Sequence, residues 1–157
     1  MLSRLATGMP TIDAHDDFAR ARRAALAARA ARRLAVGRSR PRVPRTLADA
    51  AALPLGAPRL KVIALDAIVG TIEPTITFDA RFRPASEHVR ARWERVALAH
   101  RRGVALPPIA VHQSTDGYYV VDGRHRVSVA LALGHREIEA WVTESGTLPS
   151  SARAVAA

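Results

Sequence analysis

The chain has 157 residues, of which 48% are apolar, and a formal net charge of +10 at pH 7. This length accommodates one compact domain with an extension. The absence of cysteine excludes disulfides, thiolate metal sites and cysteine nucleophiles. No apolar run approaches the roughly 20 residues that cross a bilayer, and the N-terminus lacks the apolar segment of a secretory signal. We therefore expect a cytoplasmic protein with no membrane partner.

The positive charge is concentrated towards the N-terminus. Residues 1–59 hold twelve arginines and four aspartates, a net charge of +8, whereas residues 60–144 have a net charge of +1. Ten of these arginines fall between positions 20 and 45, an interval without any acidic residue. Such a stretch is typical of a segment that contacts nucleic acid. An arginine- and alanine-rich composition is also typical of a GC-rich coding genome.

Residues 1–58 are predicted to form a basic helical extension and linker. Residues 13–36 predict one helix, because an aspartate stands at its N-cap, acidic residues follow in the first turn and arginines occupy the last turn. Its large apolar residues are eight apart and do not form one stripe, which predicts weak packing or packing against a partner. A linker over 37–45, a short helix over 46–53 and a break over 54–58 follow, and the domain boundary is placed in that break.

Residues 59–144 predict a small domain of strands and helices, and residues 145–157 a flexible tail. The predicted elements are a strand over 60–65, an irregular stretch over 66–84, a helix over 86–103, strands over 107–113 and 118–122, a helix over 125–133 and a last strand over 136–144. The turn "STDG" predicts that the two middle strands form a hairpin. Trp93, Trp141 and Leu131 are expected to face the core.

The segment "VVDGRHRV" (residues 120–127) joins a predicted strand to a predicted helix and carries most of the suggested chemistry. The first turn of a helix presents backbone N–H groups without intrahelical partners, and together with the helix dipole these attract anions, above all phosphate. Gly123 permits a sharp turn and the close approach of a ligand. Arg124 and Arg126 can bond phosphate oxygens. His125 can donate to the same oxygens or relay a proton.

Asp122 complicates this interpretation, because a carboxylate at a helix N-terminus can occupy the place of a phosphate. Either it turns away to hold His125 or Arg126, or it binds Mg²⁺ carried by a nucleotide. The simpler alternative for the whole segment is an ordinary Asp-Gly turn followed by solvated arginines.

This segment and its surroundings resemble the ParB/sulfiredoxin superfamily. The resemblance runs from "LKVIALDAIV" to "LPPIAVHQSTDGYYVVDGRHRVSVALALGHREIEAWVTE" and covers about residues 60–144, with the same order of strands and helices. It implies an α+β fold with a small mixed β-sheet and packed helices, here preceded by the helical N-terminal extension. It also implies that Gly123, His125 and Arg126 cradle nucleotide phosphates.

Departures from the superfamily patterns narrow the implied activity. Sulfiredoxins have a cysteine at the position of Arg124, so sulfinic-acid reduction is not implied here. Partition ParB proteins resemble "GERR" at this place, with an acidic residue where Arg124 stands, and continue into a DNA-reading helix-turn-helix domain. The free-serine kinases of the superfamily carry a "DGHTR"-like segment, which implies Asp122 as a metal or substrate ligand. Uncharacterised bacterial ParB-like proteins share "DG-x-HRVSVA" and the "FD…F-P" pattern of residues 78–84.

Further residues near the segment are candidates for the same site. Glu73 or Asp79, in the irregular stretch, would act as a general base or Mg²⁺ ligand, and solvated loop acids are the alternative. Ser128 lies one turn into the helix and would orient a ligand, whereas a hydroxyl bonded back to the helix backbone is the alternative. Arg81 and Arg83 would add to a phosphate clamp or pair with Asp79.

Two functions follow from these residues. The first is nucleotide binding, with phosphotransferase or nucleoside-triphosphatase activity as its extension and Mg²⁺ with a nucleotide as cofactor. Its catalytic candidates are Asp122, Glu73 and His125, its metal ligand is Asp122, and its nucleotide contacts are Gly123, Arg124, His125, Arg126 and Ser128. The alternative is a non-enzymatic DNA-associated or regulatory module that contacts phosphates through Arg22, Arg29, Arg33 and Arg40. The same helix could instead mediate self-association into a homo-oligomer.

Overall fold

The protein is described by a computed structural model that covers residues 7–36, 43–47 and 53–146. Arg40, most of the predicted linker and short helix, and the predicted tail beyond residue 146 lie outside the described residues. Single helical turns occupy Leu65–Ala67 and Glu87–Val89. The longer elements are α1 (Pro10–Val36), β1 (Arg45–Thr46), β2 (Leu53–Ala64), β3 (Ile68–Thr71), α2 (Arg90–Arg101), β4 (Ile109–Ser114), β5 (Gly117–Asp122), α3 (Arg124–Ala132) and β6 (Glu137–Gly146).

The six strands form one mixed sheet in the order β1-β3-β5-β4-β6-β2. β4 and β5 form the predicted antiparallel hairpin, with Gln113 opposite Tyr118. β3 runs parallel to β1 and β5, and β4 runs parallel to β6, whereas β6 and β2 are antiparallel. The predicted α+β class, with a small mixed sheet and a helical N-terminal segment, is therefore confirmed.

β2 begins earlier than the predicted strand. It starts at Leu53 and pairs with β6 on both sides of a register shift between Leu55 and Arg59. Residues 54–58, predicted as a break, thus lie within an irregular edge strand. Glycine and proline are tolerated at such positions because an edge strand needs fewer ladder hydrogen bonds.

One hydrophobic core lies between the sheet and α3. Ile109 and Val111 of β4 and Val120 of β5 are almost fully buried and pack with Val127 of α3. In β4 the buried residues alternate with partly exposed ones, as expected for a strand with one face on the core, whereas in β5 the adjacent Tyr119 and Val120 are both buried. The core therefore sits directly beneath the junction of β5 and α3.

Two residues expected in the core lie outside it. Trp141 is 44% exposed, because its neighbours Ala140 and Val142 take the inward positions on β6. Leu131 is 37% exposed, whereas Val129 is buried against the helices. In both cases the burial of the residue follows from its position in the strand or helix more than from its hydrophobicity.

A second core joins the three helices. Phe18 of α1 lies edge-on to Trp93 of α2, with ring centroids 5.5 Å apart, and both side chains are fully buried. Trp93 Nε1 donates to Ser128 Oγ of α3 at 2.8 Å. Buried Asp17 accepts hydrogen bonds from Arg101 Nε at 2.7 Å and Nη2 at 2.6 Å. The N-terminal half of α1 is thereby packed against α2.

The C-terminal half of α1 is more exposed. Leu26 and Leu34 are 46% and 89% exposed, in contrast to Phe18. Residues eight apart are rotated by about 80° from one another, so only the first of the three faces α2. α1 has 27 residues, but no helix among the described residues combines the length and apolar character needed to span a bilayer.

Phe18→Ala is expected to lower the free energy of unfolding by about 3–5 kcal/mol, because it leaves a cavity beside Trp93. Leu34→Ala, on the exposed part of the same helix, is the control and should change it by less than about 0.5 kcal/mol. Urea denaturation measures both values. Equal effects of the two substitutions would contradict the described packing of α1.

Candidate functional site

Gly123 is the one residue between β5 and α3, and its backbone lies in the left-handed region with φ at 107°. A Cβ at this position would lie 2.5 Å from Ile109 Cγ2 and 2.8 Å from Ile109 Cβ. The carbonyl of Gly123 accepts a hydrogen bond from Val127 N at 3.0 Å. Both its backbone conformation and its contact with Ile109 therefore require glycine.

Arg126 connects the first turn of α3 to the chain that leads into β4. Its Nη1 donates to the carbonyls of Pro107 and Pro108, the latter at 2.8 Å, and its Nη2 donates to Asp122 Oδ2 at 2.7 Å. The Arg126 side chain is 15% exposed. Of the two alternatives for Asp122, the structure has the carboxylate holding Arg126. The start of α3 has no side-chain cap.

A cleft of about 630 Å³ opens at the start of α3. Residues 122–126 form one wall. His88, Arg92 and Val96 form another, since residues four apart lie on one face of a helix. Thr75, Thr77 and Phe78, from the irregular stretch, also line it. The expected proximity of that stretch to the β5–α3 junction is thus present in the structure.

The charges of the cleft are mostly positive. Arg92 and Arg124 both line it, and neither takes part in an ion pair among the described residues. Burial, followed by the charges of Arg92 and Arg124, lowers the pKa of His125 from 6.5 to about 4 against the opposing effect of Asp122. The His125 ring lies edge-on to Phe78 with centroids 5.2 Å apart. His125 is therefore neutral at pH 7 and placed among positive charges.

Five predicted site residues lie away from the cleft lining: Ser128, Glu73, Asp79, Arg81 and Arg83. Ser128 is 2% exposed, and its hydroxyl accepts the Trp93 hydrogen bond, so it joins two helices. Glu73 is exposed and is not among the residues that line the cleft. Its backbone carbonyl accepts a hydrogen bond from Thr71 Oγ1 at 2.6 Å. The structure thus brings together residues 122–126 but neither Ser128 nor Glu73.

Several cleft residues were missed by the sequence analysis. Arg92 and His88 were not assigned to the site, and neither were Thr75 and Thr77, whose hydroxyl oxygens lie 2.9 Å apart. The four-residue spacing of His88, Arg92 and Val96 would have placed them on one helix face. Nothing in that spacing indicates that the face lies opposite the first turn of α3.

The arginines assigned to nucleic acid lie along α1. Arg29 and Arg33 are exposed, whereas the Arg22 side chain is 20% exposed and its Nε lies 3.5 Å from Glu87 Oε1. Arg40 lies outside the described residues. Nucleic-acid contact therefore depends on Arg29 and Arg33 within the described part of α1 and stays a prediction, as does self-association through this helix.

A metal ion held by protein side chains does not fit the described residues. They contain no group of three or more histidine, aspartate or glutamate side chains suited to hold a metal ion. Asp122 is the one carboxylate among the described residues lining the cleft, and Arg126 already occupies it. A Mg²⁺ ion would have to arrive with a nucleotide, whose phosphates supply the other oxygen ligands.

Comparisons with known proteins give one match. A scan against protein-family models finds none, and a search of the curated proteins finds none either. Among solved structures, the chain is similar to the crystal structure of sulfiredoxin from Arabidopsis thaliana, with 18% sequence identity and a TM-score of 0.42 over 62% of this chain and 96% of that chain. A likeness of this degree concerns the fold and says nothing about activity.

Gly123→Ala is expected to lower the free energy of unfolding by about 2–5 kcal/mol, because overlap with Ile109 adds to the cost of left-handed backbone. Gly134→Ala is the matched control. Gly134 also has a positive φ, at 80°, but no atom lies within 4 Å of an added Cβ, so the backbone cost of about 1–2 kcal/mol should stand alone. Urea denaturation compares them, and equal losses would contradict the close approach of Ile109.

His125 is expected to titrate near pH 4 in the folded protein, chiefly because it is buried. The unfolded chain then binds this proton more readily than the folded chain below about pH 6.5. This group therefore lowers the free energy of unfolding as pH falls from about 6.5 to about 4. NMR of the imidazole measures the pKa, which Arg92→Gln should raise and Arg95→Gln should not. An ordinary pKa near 6.5 would contradict the described burial.

Proposed function

We propose that the cleft at the start of α3 binds the phosphate groups of a nucleotide. The observation that carries this proposal is the pair Arg92 and Arg124, from two different helices, without ion-pair partners among the described residues. Two uncompensated guanidinium groups beside a helix N-terminus attract a multiply charged anion and can each bond two of its oxygens. Among the described residues of the lining no carboxylate is left to neutralise them, because Asp122 is paired with Arg126.

In this proposal the phosphate binds at the first turn of α3. The N–H groups of the first helical turn lack intrahelical partners, and Gly123, directly before this turn, lines the cleft. Arg126 stabilises this turn and does not contact the phosphate directly, because its guanidinium is already bonded to Pro107, Pro108 and Asp122. Direct phosphate contacts are therefore assigned to Arg92 and Arg124, with His125 as a neutral partner.

The remainder of the cleft suits the less polar part of a nucleotide. Its volume of about 630 Å³ falls in the range of about 300–1,000 Å³ that is common for small-molecule sites. Apolar side chains from several elements line it beside the two threonine hydroxyls: Phe78, Val89, Val96 and Leu106. An aromatic ring and aliphatic groups can pack against a base, while hydroxyls select its polar edge.

Phosphotransfer or nucleoside triphosphate hydrolysis is the enzymatic extension of this proposal. Asp122 is its candidate general base, because its side chain is 67% exposed and directly precedes Gly123. To act as this base, Asp122 would release Arg126 and accept a hydrogen bond from the attacking hydroxyl or water. Glu73 is not assigned this role, because it is not among the residues that line the cleft.

A panel of ATP, ADP, CTP and GTP, each with Mg²⁺, tests binding by thermal unfolding. Nucleotide at about 100 times Kd adds about 2.7 kcal/mol to the free energy of unfolding. This should raise Tm by about 5–10 °C for a chain of this size. The absence of a shift with every nucleotide would overturn the proposal.

Variants locate the binding in the cleft. Arg92→Gln and Arg124→Gln should each remove most of the nucleotide-dependent shift in Tm, since each deletes a charged phosphate contact worth about 1.5–3 kcal/mol. Arg95→Gln is the control, because Arg95 is on the same helix as Arg92 but does not line the cleft. An equal loss in Arg95→Gln would mean that binding reflects overall charge and not this site.

A further inference from the structure

A second cavity, of about 670 Å³, lies between α1 and the turn formed by residues 79–83. None of the described residues lines both this cavity and the cleft, because Thr75, Thr77 and Phe78 line the cleft whereas residues 79–81 and Arg83 line the cavity. Its charged lining consists of four arginines and one aspartate, a net charge of +3: Arg32, Arg45, Arg81, Arg83 and Asp79. No function assigned so far uses it.

The turn at residues 79–83 is built around Asp79, which is buried. Asp79 Oδ1 accepts hydrogen bonds from Arg81 N at 2.9 Å and Arg83 N at 3.0 Å. Asp79 Oδ2 accepts from Arg83 Nε at 2.8 Å and lies 2.8 Å from Arg83 Nη2. The only negative charge among the described residues of the cavity lining is therefore fully engaged inside the turn.

Phe82 gives this turn an unfavourable backbone conformation. Its φ is 56°, in the left-handed region, although it is a bulky residue. Its side chain is 3% exposed and packs in the core with Ile68 and Val120, which holds the conformation in place. Strained residues of this kind are often found where a turn must present its neighbours to a ligand. Here the neighbours are Arg81 and Arg83.

Of the four guanidinium groups, two are positioned by partners and two are not. Arg45 Nη2 lies 2.8 Å from Asp116 Oδ2, and Arg83 is bonded to Asp79 and donates from Nη1 to Ala24 O of α1 at 3.2 Å. Arg32 and Arg81 have neither an ion pair nor a side-chain hydrogen bond among the described residues. Two positioned arginines and two unengaged ones thus surround one cavity.

We propose that this cavity is a second anion site that takes a phosphoanion with more than one negative charge. Several guanidinium groups around one space match two or more linked phosphates, with their several charged oxygens, better than the two oxygens of a single carboxylate. The phosphoanion comes either from a free polyphosphate or from the backbone of a nucleic acid. In the second case Arg29 and Arg33, exposed on the adjoining part of α1, continue the positive surface beyond the cavity.

The test uses the full chain with Arg92→Gln and Arg124→Gln, so that the cleft no longer contributes. Pyrophosphate is titrated into it by calorimetry at constant ionic strength. Adding Arg32→Gln and Arg81→Gln should weaken its binding at least about tenfold per substitution, since each removes a charge-assisted contact. Adding Arg23→Gln instead should leave it unchanged, because Arg23 is an exposed α1 residue that does not line the cavity.

A second measurement does not depend on whether the multiple variants fold. Amide NMR of the wild-type chain should show that pyrophosphate shifts the signals of residues 80–83 in addition to those of residues 123–126. A short single-stranded deoxyoligonucleotide separates the two sources. If it binds more tightly than pyrophosphate and loses affinity with Arg29→Gln and Arg33→Gln, the source is nucleic acid, and binding of pyrophosphate alone indicates a free polyphosphate.

Three results would overturn this second site. They are no binding of either probe in the cleft-deficient protein, equal binding with and without Arg32 and Arg81, and no amide shifts in residues 80–83. Because the calorimetry starts from a protein without Arg92 and Arg124, failure of nucleotide binding in the cleft leaves its outcome unaffected. The two proposals can therefore fail independently.

Discussion

The burial of Trp93 is the contact on which the arrangement of the helices depends. Its indole lies edge-on to Phe18 on one side and donates to Ser128 Oγ on the other, with no exposed surface. A buried indole N–H needs an acceptor, so this bond sets the rotation of α2 about its own axis as well as its distance from α3. Arg92 and His88 consequently lie on the face of the helical segment that lines the cleft.

The charge of the cleft follows from a second contact, between Asp122 and Arg126. A carboxylate that directly precedes a helix is attracted by the positive end of the helix dipole and would compete with any anionic ligand there. Arg126 holds it at 2.7 Å and is itself bonded to two proline carbonyls. The charge at the start of α3 is therefore set by Arg92 and Arg124. Together with burial, which has the larger effect, these two arginines lower the pKa of His125.

The irregular stretch between β3 and α2 connects these features to the rest of the molecule. Its first part supplies Thr75, Thr77 and Phe78 to the cleft, and its second part forms the turn around Asp79. A segment without regular hydrogen bonding can turn one group of consecutive residues towards one cavity and the next group towards another, whereas a strand alternates single residues between two faces. Two positively lined cavities therefore lie on either side of a few residues that show no periodicity in the sequence.

The sequence alone determined the positions of α1, α2 and α3 and of most described strands, because apolar spacing and turn residues are local signals, and it located the Gly123 junction for the same reason. The predicted N-cap Asp13 instead lies inside α1, and Thr46 of the helix predicted over 46–53 lies in β1. The tertiary structure decided what each polar side chain does. It placed Ser128 against Trp93, Asp122 on Arg126 and Arg92 beside the first turn of α3, and it turned Trp141 outwards. These outcomes depend on which residues distant in sequence become neighbours: Ser128 and Trp93 are 35 positions apart, and no local pattern contains that information.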